Sequence, residues 1–347
     1  MTRRHATGIA AAIAGAMLAG TMLAGAGLAA EVKAIAILTP EEGTDYGWNQ
    51  QGIEAARKAG EITGVEVMVA QGLGYGDVRP TLRELAEEGA DLMIAHASGY
   101  NTAAPEIARE TKVPVAIVDT PEALTPGLIA DYTLSGHEGA YLAGVMAAKM
   151  TRTGKVGIVV SGEPPSWNSQ SAAFALGVRS VNDKVEVIYA VIGPAAYSDA
   201  AGGKRVTESV IAAGADIIFG QGNGSSFGML QAVETRKAVD GGKVLFIDVI
   251  GDKTPIDKGH LLTSVVWDIT PVYVAMIEDL RADRFGTRSY AIGLKDDSVR
   301  LLKTPQVPDD VWAEVMAVRE KIVSGEIEVP AIFDATEVRK LMTRVEG

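Results

Sequence analysis

The sequence predicts an α/β protein of two similar lobes, each a parallel sheet wrapped by helices in Rossmann-like units, and three observations carry that reading. Short continuous runs of apolar and β-branched residues alternate with longer helical stretches, which is how parallel strands buried on both faces and their crossover helices read. The pattern begins again near residue 155 with the same landmarks in the same order, at offsets of 119 to 130 residues. At 347 residues the chain is too long for one ordinary domain and suits two lobes of roughly 120 to 150 residues.

The first 30 residues stand outside that pattern. Arg3 and Arg4 precede an almost unbroken run of Ala, Gly, Met, Leu and Ile from Ile9 to Leu28, closed by small residues, the layout of a secretory signal peptide cleaved after Ala29 or Ala30. The rival is a retained membrane helix, since the run approaches spanning length; its many Gly and Ala residues and its Ala-rich exit favour cleavage. After it come a strand, Val32 to Leu38, and a helix from about Gln50 to Thr63. A strand from Val65 to Ala70, a helix from Arg79 to Glu88 and a strand from Ala90 to Ala95 follow, then a helix from Thr102 to Glu110 and a strand from Val113 to Val118. Three such strand–helix units make half of a doubly wound sheet.

The second copy starts at Lys155 to Val160, which repeats the character of Lys33 to Leu38. Ser166-Trp167-Asn168-Ser169-Gln170 echoes Gly47-Trp48-Asn49-Gln50 just before a helix expected over Ser171 to Val181, and Ala213 to Phe219 echoes Glu88 to Ile94. Lys243 to Asp248 likewise echoes Val113 to Asp119. The helix Glu138 to Met150 carries the chain into the second lobe; a strand, Leu261 to Trp267, and a helix, Pro271 to Asp283, bring it back. A hairpin-like stretch from Tyr290 to Leu302, a helix from Pro308 to Ser324 and a helix after Ala335 complete the chain. We therefore expect a first lobe of 31–133 plus 268–330, a second of 134–267, and a C-terminal helix within 331–347. A chain that leaves one lobe, completes another and returns builds a clamp that closes on a ligand.

Composition excludes several functions. The formal charge is −12, and removing Arg3 and Arg4 leaves 30 basic against 44 acidic residues, a net near −14; phosphate backbones need a basic face, so nucleic acid is not the expected partner. Without cysteine there is neither a disulfide nor a lipid-bearing N-terminal Cys, so a secreted, periplasmic protein without a lipid anchor is expected. His5, His96, His137 and His260 are far apart, and no spacing resembles a metal-ligand pair. No G-x-S-x-G elbow marks a nucleophile, and no cofactor is expected. Gly220-Gln221-Gly222-Asn223-Gly224 is a partial match to a phosphate loop, but it lies on the wrong strand and lacks a Walker Lys-Ser/Thr pair, so it reads better as a tight turn aiming backbone N–H groups and Phe227 at the cleft.

What remains is a set of aromatic and polar residues at strand ends, where open α/β sheets hold small ligands. In the first lobe these are Asp45, Trp48, Asn49, Ser98, Gly99, Tyr100 and Asp119; in the second they are Trp167, Asn168, Gly222, Asn223, Phe227, Asp248 and Asp252, with Trp267 at the returning strand. With only 5% aromatic residues in the chain, their gathering at these ends points to a cleft that grips a flat ring. Taken one at a time, each aromatic could equally pack in a core, and Asp45 or Asn49 could simply cap the helix.

The stretches Asp45 to Gln50, Glu138 to Gly144, Thr153 to Gly157, Leu262 to Val265 and Ile322 to Pro330 resemble the motifs of the basic membrane protein family, substrate-binding proteins of ABC transporters similar to purine-nucleoside receptors. The resemblance runs from about Val32 to Pro330. It implies a periplasmic-binding-protein fold of the first type, two lobes joined by three crossovers, and partnership with a permease and an ATPase. In the family's nucleoside-binding members an aromatic and a second-lobe Phe sandwich the base; Trp48 and Phe227 match those positions, and Asn49 and Asp119 match the residues at the base edge. The ribose is held by an Asp and a Lys. Trp267 replaces that Lys, and either Asp248 or Asp252 stands in for the displaced Asp.

The resemblance thus implies a monomeric, non-catalytic receptor that closes on a purine-type ligand, nucleobase or nucleoside, and hands it to a permease. A sugar, a polyol or another flat heterocycle such as a flavin is the alternative ligand. An exported nucleoside hydrolase using Asp45 or Asp119 as base is a remote alternative, and a sensor domain another.

Overall fold

The computed structural model describes residues 31–134 and 136–343; the expected signal peptide lies outside the described residues. The first sheet collects β1 (Ala34–Leu38), β2 (Glu66–Ala70), β3 (Leu92–Ala95), β4 (Val115–Val118) and β5 (Ile129–Thr133), all parallel, in the order β2-β1-β3-β4-β5. The second collects β6 (Lys155–Val160), β7 (Glu186–Val191), β8 (Ile217–Gln221), β9 (Leu245–Ile250) and β10 (Leu261–Trp267) in the order β7-β6-β8-β9-β10. Strand order is therefore duplicated along with sequence. In both copies it reverses beside the first strand, which opens a crevice at the carboxyl ends.

Helices cover both faces of each sheet, as the unbroken apolar strands require. α1 (Trp48–Thr63) stands on one face of the first sheet, while α2 (Arg79–Glu87) and α3 (Ala103–Thr111) cover the other with a core of Leu82, Ile107, Met93 and Ile117. In the second lobe α4 (His137–Met150) and α5 (Pro165–Val181) share one face, while α6 (Ala200–Ala212) and α7 (Ser225–Thr235) cover the other with Val210, Met229, Ile218 and Phe246. α4 and α5 pack backbone to backbone. A Cβ on Gly144 would lie 2.1 Å from the Phe174 carbonyl oxygen, and one on Gly177 would lie 2.1 Å from that of Tyr141. The glycines at this crossing serve packing.

α5 begins at Pro165, well before the expected Ser171, because Pro164 and Pro165 supply an extended entry and a fixed first-turn φ. Trp167 and Asn168 thus lie in the first helical turn, where their counterparts Trp48 and Asn49 also lie.

The chain passes between the sheets three times: from β5 to α4, from β10 to α8 (Thr270–Arg281), which packs on α1, and from β11 (Tyr290–Ala291) to β12 (Val299–Leu301). The expected hairpin over Tyr290 to Leu302 does not form. β11 extends the first sheet parallel to β5, whereas β12 extends the second antiparallel to β10. The segment 268–330, expected wholly in the first lobe, is correspondingly divided, and α9 (Asp309–Val323) packs on α4. The terminal helix α10 (Ala335–Met342) rests against α5 and β7, capped by the Asp334 side chain on the Glu337 amide.

Candidate functional site

The loop after β1 builds the first-lobe half of the cleft. Asp45 is buried, and its two carboxylate oxygens accept from the amides of Gly47, Asn49 and Gln50 and from the Asn49 side chain, at 2.9 to 3.1 Å. A carboxylate on the first amides of a helix satisfies orphan donors and suits the positive end of the dipole. That work turns the start of α1 so that Trp48 faces the cleft. The Trp48 indole N–H donates to the His96 carbonyl at 2.9 Å, and its ring lies on the His96 imidazole at 3.8 Å and 7°.

Asp119 follows β4 with φ +51, a left-handed conformation that Asp tolerates better than most residues. Its Oδ1 is buried without a hydrogen-bond partner, and burial pushes the carboxyl up to about 7, opposed by Ser166 and reinforced by the charge of Asp131. Ser98 and Ala97, after β3, and Tyr75, after β2, complete this half.

The second lobe contributes Pro164, Ser166 and Trp167 from the entry to α5, Tyr197 from the loop after β7, and Asn223, whose Oδ1 is also buried and unpartnered. Together the two halves line a cleft with about 450 Å³ of empty space, a figure that includes the part open to solvent. The lobes touch around it. Ser198 Oγ donates to Glu41 Oε1 at 2.7 Å, and Tyr75 and Tyr197 meet with ring centres 5.5 Å apart; within the second lobe Trp167 and Tyr197 pack edge to face with the same centre-to-centre separation. Deeper, the Lys253 ammonium of the second lobe donates to the Tyr46 carbonyl of the first at 3.3 Å and to Asp248 Oδ2 at 2.6 Å.

Of the residues singled out from sequence, Trp48, Ser98, Asp119, Trp167 and Asn223 line the cavity. The others are placed elsewhere. Asp45 is committed to capping, and Asn49, fully buried, donates to it. Tyr100 is a core residue whose hydroxyl donates to the Gly74 carbonyl at 2.7 Å, and Gly99 beside it lies outside the cavity wall. Asn168 donates to the carbonyls of Glu163 and Phe333 and so holds the C-terminal segment. Gly222 packs its backbone on the Ser225 side chain.

Phe227, in the first turn of α7, lines a separate groove with Ala200, Leu230 and Ile256, and the Lys253 ammonium sits 5.9 Å from its ring centre. Asp248 is in mid-strand, paired with Lys253, and both are 1% exposed. Burial pushes the Asp248 carboxyl up to about 6 despite that cation. Exposed Asp252 accepts from the Thr254 amide in a turn. Trp267 is fully buried at the β10 to α8 passage, its ring centre 6.4 Å from that of Trp48 in a near-perpendicular pair, its indole N–H unpartnered.

Register explains the Asp248 placement. Val115 of β4 pairs with Met93, and Phe246 of β9 pairs with Ile218, the counterpart of Met93 in the second copy, so Asp119 corresponds to Ile250, which also has positive φ, +73. Asp248 corresponds to Ile117, inside the sheet. The sequence reading missed Tyr75 and Tyr197, although a signal existed: they stand 122 residues apart, inside the offsets of the duplication. It also missed the part His96 plays beneath Trp48, since a buried histidine leaves no pattern of its own. Among the described residues no group of three or more His, Cys, Asp or Glu is arranged to hold a metal ion.

Residues 32–332 match the family described as Bmp, ABC transporter substrate-binding protein PnrA-like. The chain belongs to this family. As a Bmp member it is the substrate-binding component of an ABC transporter, a receptor for a small molecule that works with a permease, and such components act outside the cytoplasmic membrane. Similar proteins include a purine-binding protein of Brucella abortus, 26% identical over 294 residues that cover 82% of this chain and 79% of the relative. Basic membrane protein A1 of Borrelia garinii subsp. bavariensis is 23% identical, covering 87% and 90%. A solved ABC transporter solute-binding protein from Aeropyrum pernix aligns with TM-score 0.74 at 20% identity over 89% of this chain and 96% of that one; another, from Conexibacter woesei, aligns with TM-score 0.68 at 23% identity over 87% and 100%. These structures show the type I periplasmic-binding-protein fold. Among the described residues no helix is long and apolar enough to cross a membrane.

Proposed function

We propose that this Bmp protein captures a purine-type ligand in the cleft between its lobes and delivers it to an ABC permease, without chemical change. The observation that carries the reading is the pairing of aromatic surface from both lobes with buried polar atoms that lack partners. Trp48 offers a face, Trp167 and Tyr197 supply aromatic surface from the second lobe, and Asp119 Oδ1 and Asn223 Oδ1 stand in the same cavity unpaired. A flat heterocycle stacks on the first set and donates its ring and exocyclic N–H groups to the second. Two buried acceptors favour a base edge over an apolar ligand, because each unsatisfied acceptor costs about 1 to 3 kcal/mol. The purine-binding relative from Brucella abortus supports the same class.

Trp167 takes the second-lobe stacking position that resemblance assigned to Phe227, and Asp119 is the principal edge contact. The lobe contacts at Glu41–Ser198, Tyr75–Tyr197 and Tyr46–Lys253 describe the closed form presented to the permease. The receptor acts as a monomer in the periplasm after removal of residues 1–30. A thermal-shift screen against purine bases, nucleosides, flavins and pentoses tests the ligand class. At 100 times its dissociation constant a ligand adds about 2.7 kcal/mol of stability. A shift with purines supports the reading; a shift with a pentose and none with any purine overturns it.

A further inference from the structure

We infer that His96 is a positioning residue that fixes the plane of the stacking Trp48 and ties it to two of the three passages between the lobes. His96 ends the β3 edge of the cleft, is fully buried, and is held on every polar atom. Its ring covers one face of the Trp48 indole at 3.8 Å and 7°, its carbonyl accepts the indole N–H at 2.9 Å, and its Nε2 lies 3.0 Å from the Trp48 carbonyl oxygen. That carbonyl can only accept, so Nε2 carries the proton and Nδ1 is an acceptor. Backbone, ring and side chain of Trp48 are thus all fixed by one residue.

Nδ1 faces two hydroxyls, Tyr132 and Tyr273, each at 2.9 Å. Tyr132 is on β5, just before the chain passes into the second lobe, and Tyr273 is in the first turn of α8, just after it returns. Burial holds His96 neutral, down to about 3, so the acceptor persists across the physiological range. Trp267, which ends the strand leading into α8, packs perpendicular to Trp48 from the side of that passage. The backbone of α1 makes room for this arrangement at Gly52: a Cβ there would lie 2.4 Å from His96 Nε2.

Two consequences follow. One face of Trp48 is permanently occupied, so the indole stacks ligand on its other face only, and the second lobe must close to complete the enclosure. A ligand that tilts Trp48 also strains hydrogen bonds at the passages where the lobes rotate. This rests on the proposed role of Trp48, and the test separates the two claims.

His96→Phe keeps a ring against Trp48 and removes the side-chain hydrogen bonds; Tyr273→Phe removes one hydroxyl outside the cavity; Gly52→Ala pushes the imidazole from the other side. Near-ultraviolet circular dichroism of the ligand-free proteins, with Trp48→Phe as reference for the Trp48 band, reads the indole's fixation without any ligand. Calorimetric titration with adenine, guanine and hypoxanthine reads affinity well below the unfolding midpoint. The inference predicts a weakened Trp48 band and affinity about tenfold lower for His96→Phe and Gly52→Ala, and about threefold lower for Tyr273→Phe, the scale of one or two lost hydrogen bonds. His96→Gln, which keeps a side-chain N–H, is expected to recover part of both. An unchanged Trp48 band with unchanged affinity, whatever the unfolding midpoint does, overturns it. If the parent protein binds no purine, the ligand proposal fails and the dichroism alone decides the role of His96.

Discussion

The two lobes carry the same strand order and the same Trp-Asn start to a helix, yet their halves of the cleft are built differently. In the first lobe Trp48 is clamped by His96 and its helix entry is tied by Asp45. In the second, Trp167 is steadied by an edge contact to Tyr197 and by the attachment of Asn168 to the C-terminal segment. At the end of the fourth strand the first lobe offers Asp119 and the second offers Ile250, both left-handed. The duplication preserved backbone geometry while the polar groups diverged: the buried acceptor comes from the end of the fourth strand in the first lobe, at Asp119, and from the loop after β8 in the second, at Asn223.

Breaking the seam between the lobes gives the largest expected effect. Lys253→Met leaves Asp248 as an unpaired buried carboxylate and costs about 3 to 5 kcal/mol of stability; adding Asp248→Leu recovers most of it, since replacing a buried pair with apolar groups is often neutral. Urea denaturation of both variants checks this. A similar loss in the double variant would show that closure, and not desolvation, holds the pair in place.

Next in size are the two tryptophans. Trp48→Ala is expected to cost about 1 to 3 kcal/mol of binding, the worth of one base stacked on an aromatic, while Trp167→Ala costs less, because the Tyr75–Tyr197 contact still covers the rim. Equal losses by calorimetry would abolish the asymmetry between the lobes.

Asp119 gives a pH signature of two opposite signs. Its folded carboxyl is raised to about 7, so the stability it contributes is complete below the unfolded value near 4 and is lost as pH rises through 7. Binding runs the other way if the ionised carboxylate accepts a purine ring N–H: affinity for hypoxanthine should fall as pH drops below 7. Asp119→Asn should flatten both profiles. The smallest effect belongs to the rim, where Ser198→Ala removes one exposed hydrogen bond to Glu41 and should shift stability by no more than about 0.5 kcal/mol.

Much of the scaffold was legible because parallel strands advertise themselves as unbroken apolar runs and because the repeat supplied each element twice. β10 fell on the expected residues, Leu261–Trp267, and most helix ends within two or three. What failed depended on partners distant in sequence. Nothing near Phe227 tells which side of α7 it faces, and nothing near Asp248 announces that Lys253 folds back onto it from the next turn. Tyr100 looked like a cleft residue because it follows a strand, but a short 3-10 turn over Ser98–Tyr100 rotates it into the core. The tail misled because two short strands close in sequence joined different sheets.

The central claim is that aromatic surface and unpaired acceptors in the cleft between the lobes capture a purine. Calorimetric titration of the parent protein and Trp48→Ala with adenine, guanine, hypoxanthine and ribose tests it most directly. The account predicts saturable binding of at least one purine by the parent protein, weakened about fivefold or more in Trp48→Ala, and no binding of ribose. Saturation by ribose with no heat from any purine, or purine affinity unchanged in Trp48→Ala, would contradict it.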